Sequence, residues 1–327
     1  MATYLGTHGS RIQNYTTDPD NPNTGEVWYN ATANTIRVEA VTTAGAWSST
    51  PSLNTARDQV AGAGTTTSGL VFGENFGGET EFYNGSSWSE QNDLNTSRRA
   101  LAGAGALGTA ALAFAGNLAS PSPNAATNVT ETWNGTNWTN VNNLNQARSF
   151  ASGTGTNTAA LCMGGATGSG GNPPLSADTE KWNGSNWTEV TDFNNARNDG
   201  AAGGTSTSAL FFGGTPSPLN AKTELYNGTN WTNVNDLNTG RRSLGGAGSD
   251  STACVAFGGD SGSVTGKTEV WNGTNWTEQG DMANARGLMG STKGSSTAAM
   301  AMGGANTTHV ETFTGAGSPQ AKTIDTD

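Results

Sequence analysis

Short apolar segments recur along the chain, and each is followed by glycine and then by a polar, asparagine-rich stretch. The segment 209–212, Ala-Leu-Phe-Phe, leads directly into Gly213-Gly214, and similar segments precede glycine elsewhere. Apolar runs of this length, bounded by residues that favour turns, are typical of β-strands. The pattern therefore predicts an all-β protein built from short strands.

Tryptophan marks the period of this pattern. Six tryptophans are each followed six residues later by an apolar residue and ten residues later by arginine. A period of this kind is the signature of a repeat architecture. The tryptophans are Trp47, Trp88, Trp138, Trp187, Trp231 and Trp276, and the arginines are Arg57, Arg98, Arg148, Arg197, Arg241 and Arg286. A glycine-rich step follows each arginine after sixteen or seventeen residues.

Each repeat predicts four strands, which we number in chain order. The first follows the arginine, the second enters the glycine step, the third ends at an aromatic residue and the fourth runs through the tryptophan. Asn-Gly separates the third and fourth strands, as in Tyr83-Asn84-Gly85 before Trp88. This dipeptide is a strong hairpin signal because both residues tolerate the positive φ of a tight turn.

The order of arginine, apolar strand, glycine pair, loop, aromatic residue and tryptophan resembles the kelch family over residues 46–316. Two glycine steps depart from the family pattern, since they read Gly73-Glu74 and Ala115-Gly116. With six copies of the repeat, the resemblance implies a six-bladed β-propeller of four-stranded blades.

The ends of the repeat array predict how the propeller closes. The last repeat has the third strand Val310-Glu311-Thr312-Phe313 but no tryptophan after it, whereas Trp47 has no third strand before it. We therefore expect the Trp47 segment to be the outer strand of the last blade. Small residues in the first strands, such as 101–105, Leu-Ala-Gly-Ala-Gly, fit the crowded axis of such a ring.

Residues 1–45 lie outside the repeat and predict a small β segment. A turn-rich stretch precedes two strands, Glu26–Asn30 and Thr35–Val38. Residues 25–47 resemble a short β element of tail-fibre and other virion proteins of bacteriophages, which implies attachment to a virus particle. The expected division is 1–45 for attachment, 46–316 for the propeller and 317–327 for a C-terminal tail.

Charge and composition limit which partners and which location are expected for the protein. A formal net charge of −11 is the wrong sign for a protein that coats nucleic acid. No apolar run approaches the roughly 20 residues of a membrane-spanning helix, and the N-terminus lacks the regions of a signal peptide. We expect assembly in a host cytoplasm, location in the virion and no membrane insertion.

The sequence contains few residues in arrangements that could carry out catalysis. The two histidines, His8 and His309, stand in no metal-ligand spacing and beside no evident nucleophile. Cys162 and Cys254 lie in short apolar strands, which favours buried free thiols. We therefore predict no catalytic residue, no metal and no cofactor.

The repeated arginines and tryptophans have a structural interpretation, since a residue that every blade needs serves the architecture. We expect the arginines to donate to neighbouring backbone carbonyls. The connection between the second and third strands varies in length, and variable loops on a constant scaffold are the usual place for recognition. Either these loops bind a partner or they are tolerated insertions. The candidate binding residues lie in the two long loops: Asn117, Ser120, Pro121, Asn124, Asn172, Pro173 and Pro174.

Together these observations predict a non-enzymatic bacteriophage virion protein, either a tail fibre, an appendage or a surface decoration. It would contact other virion proteins through its N-terminal segment, present the propeller to a host-surface glycan or protein, and form a homo-oligomer in the particle. Two alternatives stay open: a propeller enzyme that acts on glycans, and a cytosolic interaction module like other kelch propellers.

Overall fold

The computed structural model describes residues 12–19, 26–41, 44–74, 77–118, 125–168, 173–317 and 319–323. These residues form an all-β protein with one short 3-10 helix, Leu219–Ala221. Its four-stranded sheets are arranged like blades, and contacts divide the chain into two compact units. One unit is residues 46–314, and the other combines residues 1–45 with 315–327.

The described part of residues 46–314 contains six four-stranded antiparallel sheets, numbered here by their first strands. Sheet 1 is Ala61–Gly64, Gly69–Phe72, Thr80–Tyr83 and Trp88–Glu90. Sheet 2 is Ala102–Leu107, Ala110–Phe114, Thr130–Trp133 and Trp138–Val141. Sheet 3 is Ser152–Gly155, Ala160–Met163, Thr179–Trp182 and Trp187–Val190.

The remaining sheets repeat this plan. Sheet 4 is Ala201–Thr205, Ser208–Phe212, Thr223–Tyr226 and Trp231–Val234. Sheet 5 is Gly245–Asp250, Ala253–Phe257, Thr268–Trp271 and Trp276–Glu278. Sheet 6 is Gly290–Ser291, Ala298–Met302, Val310–Thr314 and Ala46–Ser49. A separate two-stranded pair joins Arg98–Arg99 to Asn117–Leu118.

The fourth strand of sheet 6 comes from the opposite end of the chain. Ala46–Ser49 pairs antiparallel with Val310–Thr314, and Trp47 lies opposite Phe313. The Trp47 ring also packs on Phe257 of sheet 5, with ring centroids 4.9 Å apart. The pairing predicted for the Trp47 segment is therefore observed.

The first strands are built from small residues because neighbouring first strands approach closely. A Cβ atom on Gly153 of sheet 3 would lie 2.5 Å from the carbonyl oxygen of Gly103 in sheet 2. A Cβ atom on Gly103 would in turn lie 3.0 Å from the carbonyl oxygen of Gly62 in the first strand of sheet 1. The interior is close-packed, so side chains at these positions would push the sheets apart.

The core consists of apolar clusters that each lie between two neighbouring sheets. Phe72 of sheet 1 meets Trp138 of sheet 2 with ring centroids 4.9 Å apart, and the rings lie edge to face. Such pairs contribute about 0.5–1.5 kcal/mol beyond the burial of area. Sheet 6 packs against sheet 1 in the same manner, since Met302 shares a cluster with Trp88.

A cycle of backbone hydrogen bonds joins the starts of the six first strands. Each N–H donates to the carbonyl of the equivalent residue one repeat earlier, at 2.8–2.9 Å, and the N–H of Gln59 donates to Leu288, so the series returns to its start. The members all have φ between 51° and 60°. They are Gln59, Ala100, Phe150, Asp199, Ser243 and Leu288.

The turn between the third and fourth strands differs from the two-residue turn that Asn-Gly suggested. Tyr83 pairs with Trp88, so four residues form the loop of sheet 1. The side-chain oxygen of Asn84 accepts hydrogen bonds from the backbone N–H groups of Ser86 and Ser87, and Gly85 takes φ +93°. Asparagine therefore closes the turn with its side chain, and glycine alone of the dipeptide supplies the positive φ.

The other unit is a mixed sheet. Val27–Asn30 and Thr35–Val41 form the predicted hairpin, and Gln13–Tyr15 pairs parallel with Val27–Asn30. Pro319–Thr323 pairs antiparallel with Thr35–Val41. The expectation that residues 317–327 form a separate tail is therefore corrected for this strand. An edge strand is held by backbone hydrogen bonds. The residue types of the short run Pro-Gln-Ala-Lys-Thr therefore did not predict this strand.

Asp18 has a structural role in this sheet. Its Oδ1 accepts hydrogen bonds from Nδ2 of Asn30 at 2.7 Å and from Nε1 of Trp28 at 3.0 Å. These hydrogen bonds hold the pKa of Asp18 below its usual value. Asp18 thus anchors the hairpin through its side chain.

Candidate functional site

The six repeated arginines are buried, and each pairs with a buried glutamate on the third strand of its own sheet. In sheet 2, Nη1 of Arg98 lies 2.6 Å from Oε1 of Glu131, and Nη2 donates to the carbonyl of Ala113. The expected bonds to backbone carbonyls are thus present. The glutamates were missed; they are Glu81, Glu131, Glu180, Glu224, Glu269 and Glu311.

A sequence signal for these glutamates exists. Each stands two residues before the aromatic residue that ends the third strand, as Glu131 stands before Trp133. The residue after the apolar member of each repeat completes the arrangement, since Asn95 donates to Oε2 of Glu131 from its backbone N–H and from Nδ2. A constant carboxylate facing a constant arginine was therefore readable from the spacing.

Most tryptophans of the fourth strands link neighbouring sheets through an indole hydrogen bond, but Nε1 of Trp231 has no such partner and its ring packs in a cluster with Met163 of sheet 3. Nε1 of Trp138 in sheet 2 donates to Oγ1 of Thr80 in sheet 1 at 3.0 Å, and Trp187 in sheet 3 donates to Thr130 in sheet 2. Sheet 6 has Val310 at the position of the threonine, and Trp88 donates to the carbonyl of Pro51 instead. The structural interpretation of the tryptophans agrees with these contacts.

The connections before the first strands and those after the second strands meet on one face. Backbone bridges join Asn198 to Thr215, Ser149 to Ala166 and Arg242 to Asp260. Alternating strand direction predicts this arrangement. We call the surface formed by the described residues of the connections after the second strands the connection face: residues 73–74, 77–79, 115–118, 125–129, 164–168, 173–178, 213–222, 258–267 and 303–309.

The candidate binding residues have different surroundings. Asn117 is only 6% exposed and pairs with Arg99, so its side chain is unavailable to a partner at the surface. Pro173 and Pro174 lie on the connection face, where the carbonyl of Pro174 accepts a hydrogen bond from the N–H of Thr167. Four of the candidates lie outside the described residues: Ser120, Pro121, Asn124 and Asn172.

A groove that the sequence did not indicate lies between the connections of sheets 4 and 5. Thr215, Pro216 and Asn220 form one wall, and Arg242 with Asp260 forms the other. Nη2 of Arg242 lies 3.0 Å from Oδ2 of Asp260, and the arginine side chain is 54% exposed. One feature of the sequence could have indicated this groove: Arg242 stands next to the repeated Arg241 but is not itself part of the repeat. The groove offers polar contacts and an accessible guanidinium.

A second concave site lies where the first strands converge. The cavity has a volume of about 100 Å³ and is lined by residues of all six first strands and their approaches. Among the described lining residues the charged side chains are Asp199 and Lys293. Burial raises the pKa of Asp199 to about 6, although Oγ of Ser243 donates to its Oδ2 at 2.7 Å. The pKa of this carboxyl group therefore lies above the usual value of an aspartate.

Replacing Asp199 with asparagine is expected to change the pH dependence of stability. The pKa of Asp199 rises from 3.8 to about 6 on folding, so the folded state binds more protons and loses stability as pH rises between these values. Relative to the parent, the free energy of unfolding of Asp199→Asn should therefore increase from pH 4 to pH 6. Above pH 7 the difference between the two proteins should stay constant. Denaturant unfolding across this range measures it, and a difference independent of pH would contradict the assignment.

The two cysteines are buried, and a group of acidic side chains lies at the surface. Cys162 and Cys254 are buried free thiols, as predicted, and burial raises the pKa of Cys162 to about 12. Ligand atoms of Asp178, Glu189 and Asp192 lie within 4.8 Å of one another. Glu189 and Asp192 are exposed, and Asp192 accepts a hydrogen bond from the N–H of Thr179. Such a group is a solvated acidic surface.

Comparison of the chain with protein-family models and with curated proteins finds no match. Among the described residues, no helix has the length and apolar character needed to cross a membrane.

Proposed function

We propose that residues 46–314 form a six-bladed β-propeller of kelch-like repeats and act by binding a partner. The cycle of hydrogen bonds from Gln59 back to Leu288 supports the closed ring, as does the packing of Met302 of sheet 6 beside Trp88 of sheet 1. An experimental structure tests the ring: five or seven blades, or Ala46–Ser49 outside the last blade, would overturn it.

The observation that carries a binding function is the division of the polar residues between two roles. Those common to the repeats are used inside the sheets, as in the pair of Arg98 with Glu131 and the bond from Trp138 to Thr80. Several that differ between repeats lie on the connection face, where Thr215 and Asp260 line the groove beside Arg242. A constant scaffold with a variable polar face is suited to recognition.

The partner that this proposal favours is a host-surface glycan or protein, with the protein itself carried on a bacteriophage particle. The resemblance of residues 25–47 to a virion element motivates this assignment. We call the unit of residues 1–45 and 315–327 the N-terminal unit. Its sheet supports the assignment, because Gln13–Tyr15 and Pro319–Thr323 are the outer strands. Edge strands can pair with the backbone of another chain. The N-terminal unit would thus attach the protein, and the connection face would bind the host.

Separate deletions should distinguish attachment from recognition. A variant without residues 1–40 is expected to stay folded in residues 46–314 but to be absent from purified particles. A variant shortened within 119–124 and 169–172 is expected to enter particles and to bind host cells differently, because shortening a loop changes its closure entropy little. Protein identification on particles and cell-binding assays measure the two effects. Incorporation of the first variant together with exclusion of the second would reverse the assignment.

A binding function also predicts what should happen when the protein is incubated with isolated host-surface polysaccharide. The protein should bind the polysaccharide or a host protein without shortening the glycan chains. Size-exclusion chromatography of the polysaccharide before and after incubation measures this. Release of shorter chains would favour the alternative of a glycan-acting enzyme.

A further inference from the structure

Lys293 occupies a position that the other repeats give to glycine. The residue five places after each member of the hydrogen-bonded cycle is glycine in sheets 1 to 5 and lysine in sheet 6. In sheet 1 this residue is Gly64, and a Cβ atom there would lie 2.0 Å from the carbonyl oxygen of Ser68. A side chain is therefore excluded wherever the first hairpin keeps its usual form.

Sheet 6 makes room for the lysine by ending its first strand early. This strand is Gly290–Ser291, whereas the other first strands contain four to six residues. Beyond Ser291, the side chain of Thr292 takes over part of the strand pairing, since its Oγ1 accepts from the N–H of Met300. The local backbone thus departs from the repeat at the point where the lysine enters.

The ammonium group of Lys293 turns back toward the cavity wall. Nζ donates to Oγ of Ser291 at 3.3 Å, and Ser291, two residues earlier, also lines the cavity. Oγ of Ser291 donates its own hydrogen to the carbonyl of Gly246 at 2.9 Å, so it meets the ammonium as an acceptor. One of the three ammonium donors is therefore used by this contact.

No carboxylate of the described residues forms an ion pair with Lys293. The other charged side chain of the cavity lining, Asp199, stands at the start of the first strand of sheet 4, whereas Lys293 follows the end of the first strand of sheet 6. Lys293 is partly buried, and a cation that is partly withdrawn from water without a counter-ion is destabilised. Burial accordingly lowers the pKa of Lys293 to about 8.

We propose that the cavity at the convergence of the first strands binds a small oxyanion through Lys293. The cavity volume of about 100 Å³ accommodates such an ion with a few water molecules. The ion would accept hydrogen bonds from the two ammonium donors that Ser291 does not use. Phosphate, sulfate and small carboxylates share this chemistry, and charge-assisted hydrogen bonds of this type are among the strongest in proteins.

The site should take up its anion in a pH-dependent way. The bound anion favours the charged ammonium, so binding should be strong near pH 7 and decline as pH rises past about 8, where the free site loses its proton. Asp199 is the other titrating side chain of the described lining and becomes negative above about pH 6, which works against the anion in the neutral range.

Isothermal titration of the full chain with sodium phosphate, sodium sulfate and sodium acetate at pH 7 tests the proposal, with sodium chloride to match ionic strength. At least one oxyanion should bind saturably, and Lys293→Met should weaken it by at least about tenfold, as expected for the loss of a charged hydrogen-bond donor. Lys222→Met is the matched control, because Lys222 is an exposed lysine paired with Asp236. It should bind as the parent does.

Lys293→Gly restores the residue found in the other repeats and provides a second variant if the methionine fails to fold. The expected result is again loss of anion binding, together with higher stability in anion-free buffer because a partly buried cation without a counter-ion has been removed. Binding that is equal in the parent and both Lys293 variants would overturn the proposal. Failure of all three oxyanions to bind the parent would overturn it as well.

Discussion

Replacing Glu131 with alanine is expected to lower the free energy of unfolding by about 3–5 kcal/mol, the usual cost of breaking a buried ion pair from one side. The change leaves the guanidinium of Arg98 without its carboxylate 2.6 Å away. It also removes the acceptor for the backbone N–H groups of Asn95 and Thr96. Guanidinium chloride unfolding followed by tryptophan fluorescence measures the loss.

The matched control is Glu189→Ala, because Glu189 is a solvent-exposed glutamate on the fourth strand of sheet 3. Its substitution should change the free energy of unfolding by no more than about 0.5 kcal/mol. Glu131→Gln keeps the size of the side chain and should still destabilise, because the buried charge of Arg98 stays uncompensated. Stability equal to the parent in both Glu131 variants would show that the pair contributes nothing.

Deleting residues 1–50 is expected to destabilise residues 51–314 far more than deleting residues 1–44. The longer deletion removes Ala46–Ser49 and leaves Val310–Thr314 as an uncovered edge. It also removes the Trp47 ring from Phe257 and Phe313 and the bond from its Nε1 to Thr268. Truncation of a fully buried tryptophan costs about 3–5 kcal/mol, and Trp47, which is partly buried, should contribute part of that amount. The midpoint of thermal unfolding should fall accordingly, and the exposed edge should promote aggregation.

Comparing these two deletions isolates the strand, since both remove the other strands that precede residue 45. A peptide of residues 44–52 added in trans should raise the melting temperature of the longer deletion by restoring the missing strand. The same peptide with Trp47 replaced by alanine should restore less. Equal melting temperatures for the two deletions would contradict a structural role for Ala46–Ser49.

The buried pairs explain why the segment between tryptophan and arginine keeps a constant length. Within ten residues of Trp88, Asn95 caps Glu131 from the backbone and Arg98 reaches the same carboxylate. An inserted residue would shift one of these contacts and leave a buried charge unsatisfied. Among their described residues, the connections after the second strands carry no such repeated pair, which is consistent with their variation in length from residues 73–79 to residues 115–129.

The strands and the repeated arginines could be predicted from the sequence more completely than the candidate binding sites. Arg98 was readable because it recurs ten residues after tryptophan, but its partner Glu131 was hidden beside the prominent Trp133. Asn117 had the composition of an exposed loop residue and is instead buried beside Arg99. Residue type alone does not reveal whether a neighbouring connection covers a side chain.

What the sequence determined by itself is the all-β class, the four-strand unit and the pairing of the Trp47 segment with Val310–Thr314. The first two follow from local periodicity, since each repeat carries its own strands and turns, and the third follows from the fourth strand that the last repeat lacks. Tertiary structure alone decided the strand at Pro319–Thr323, the groove beside Arg242 and the placement of Lys293 on the cavity wall. Each depends on where segments far apart in the chain meet, and it is this convergence that sets burial, charge environment and access for a ligand.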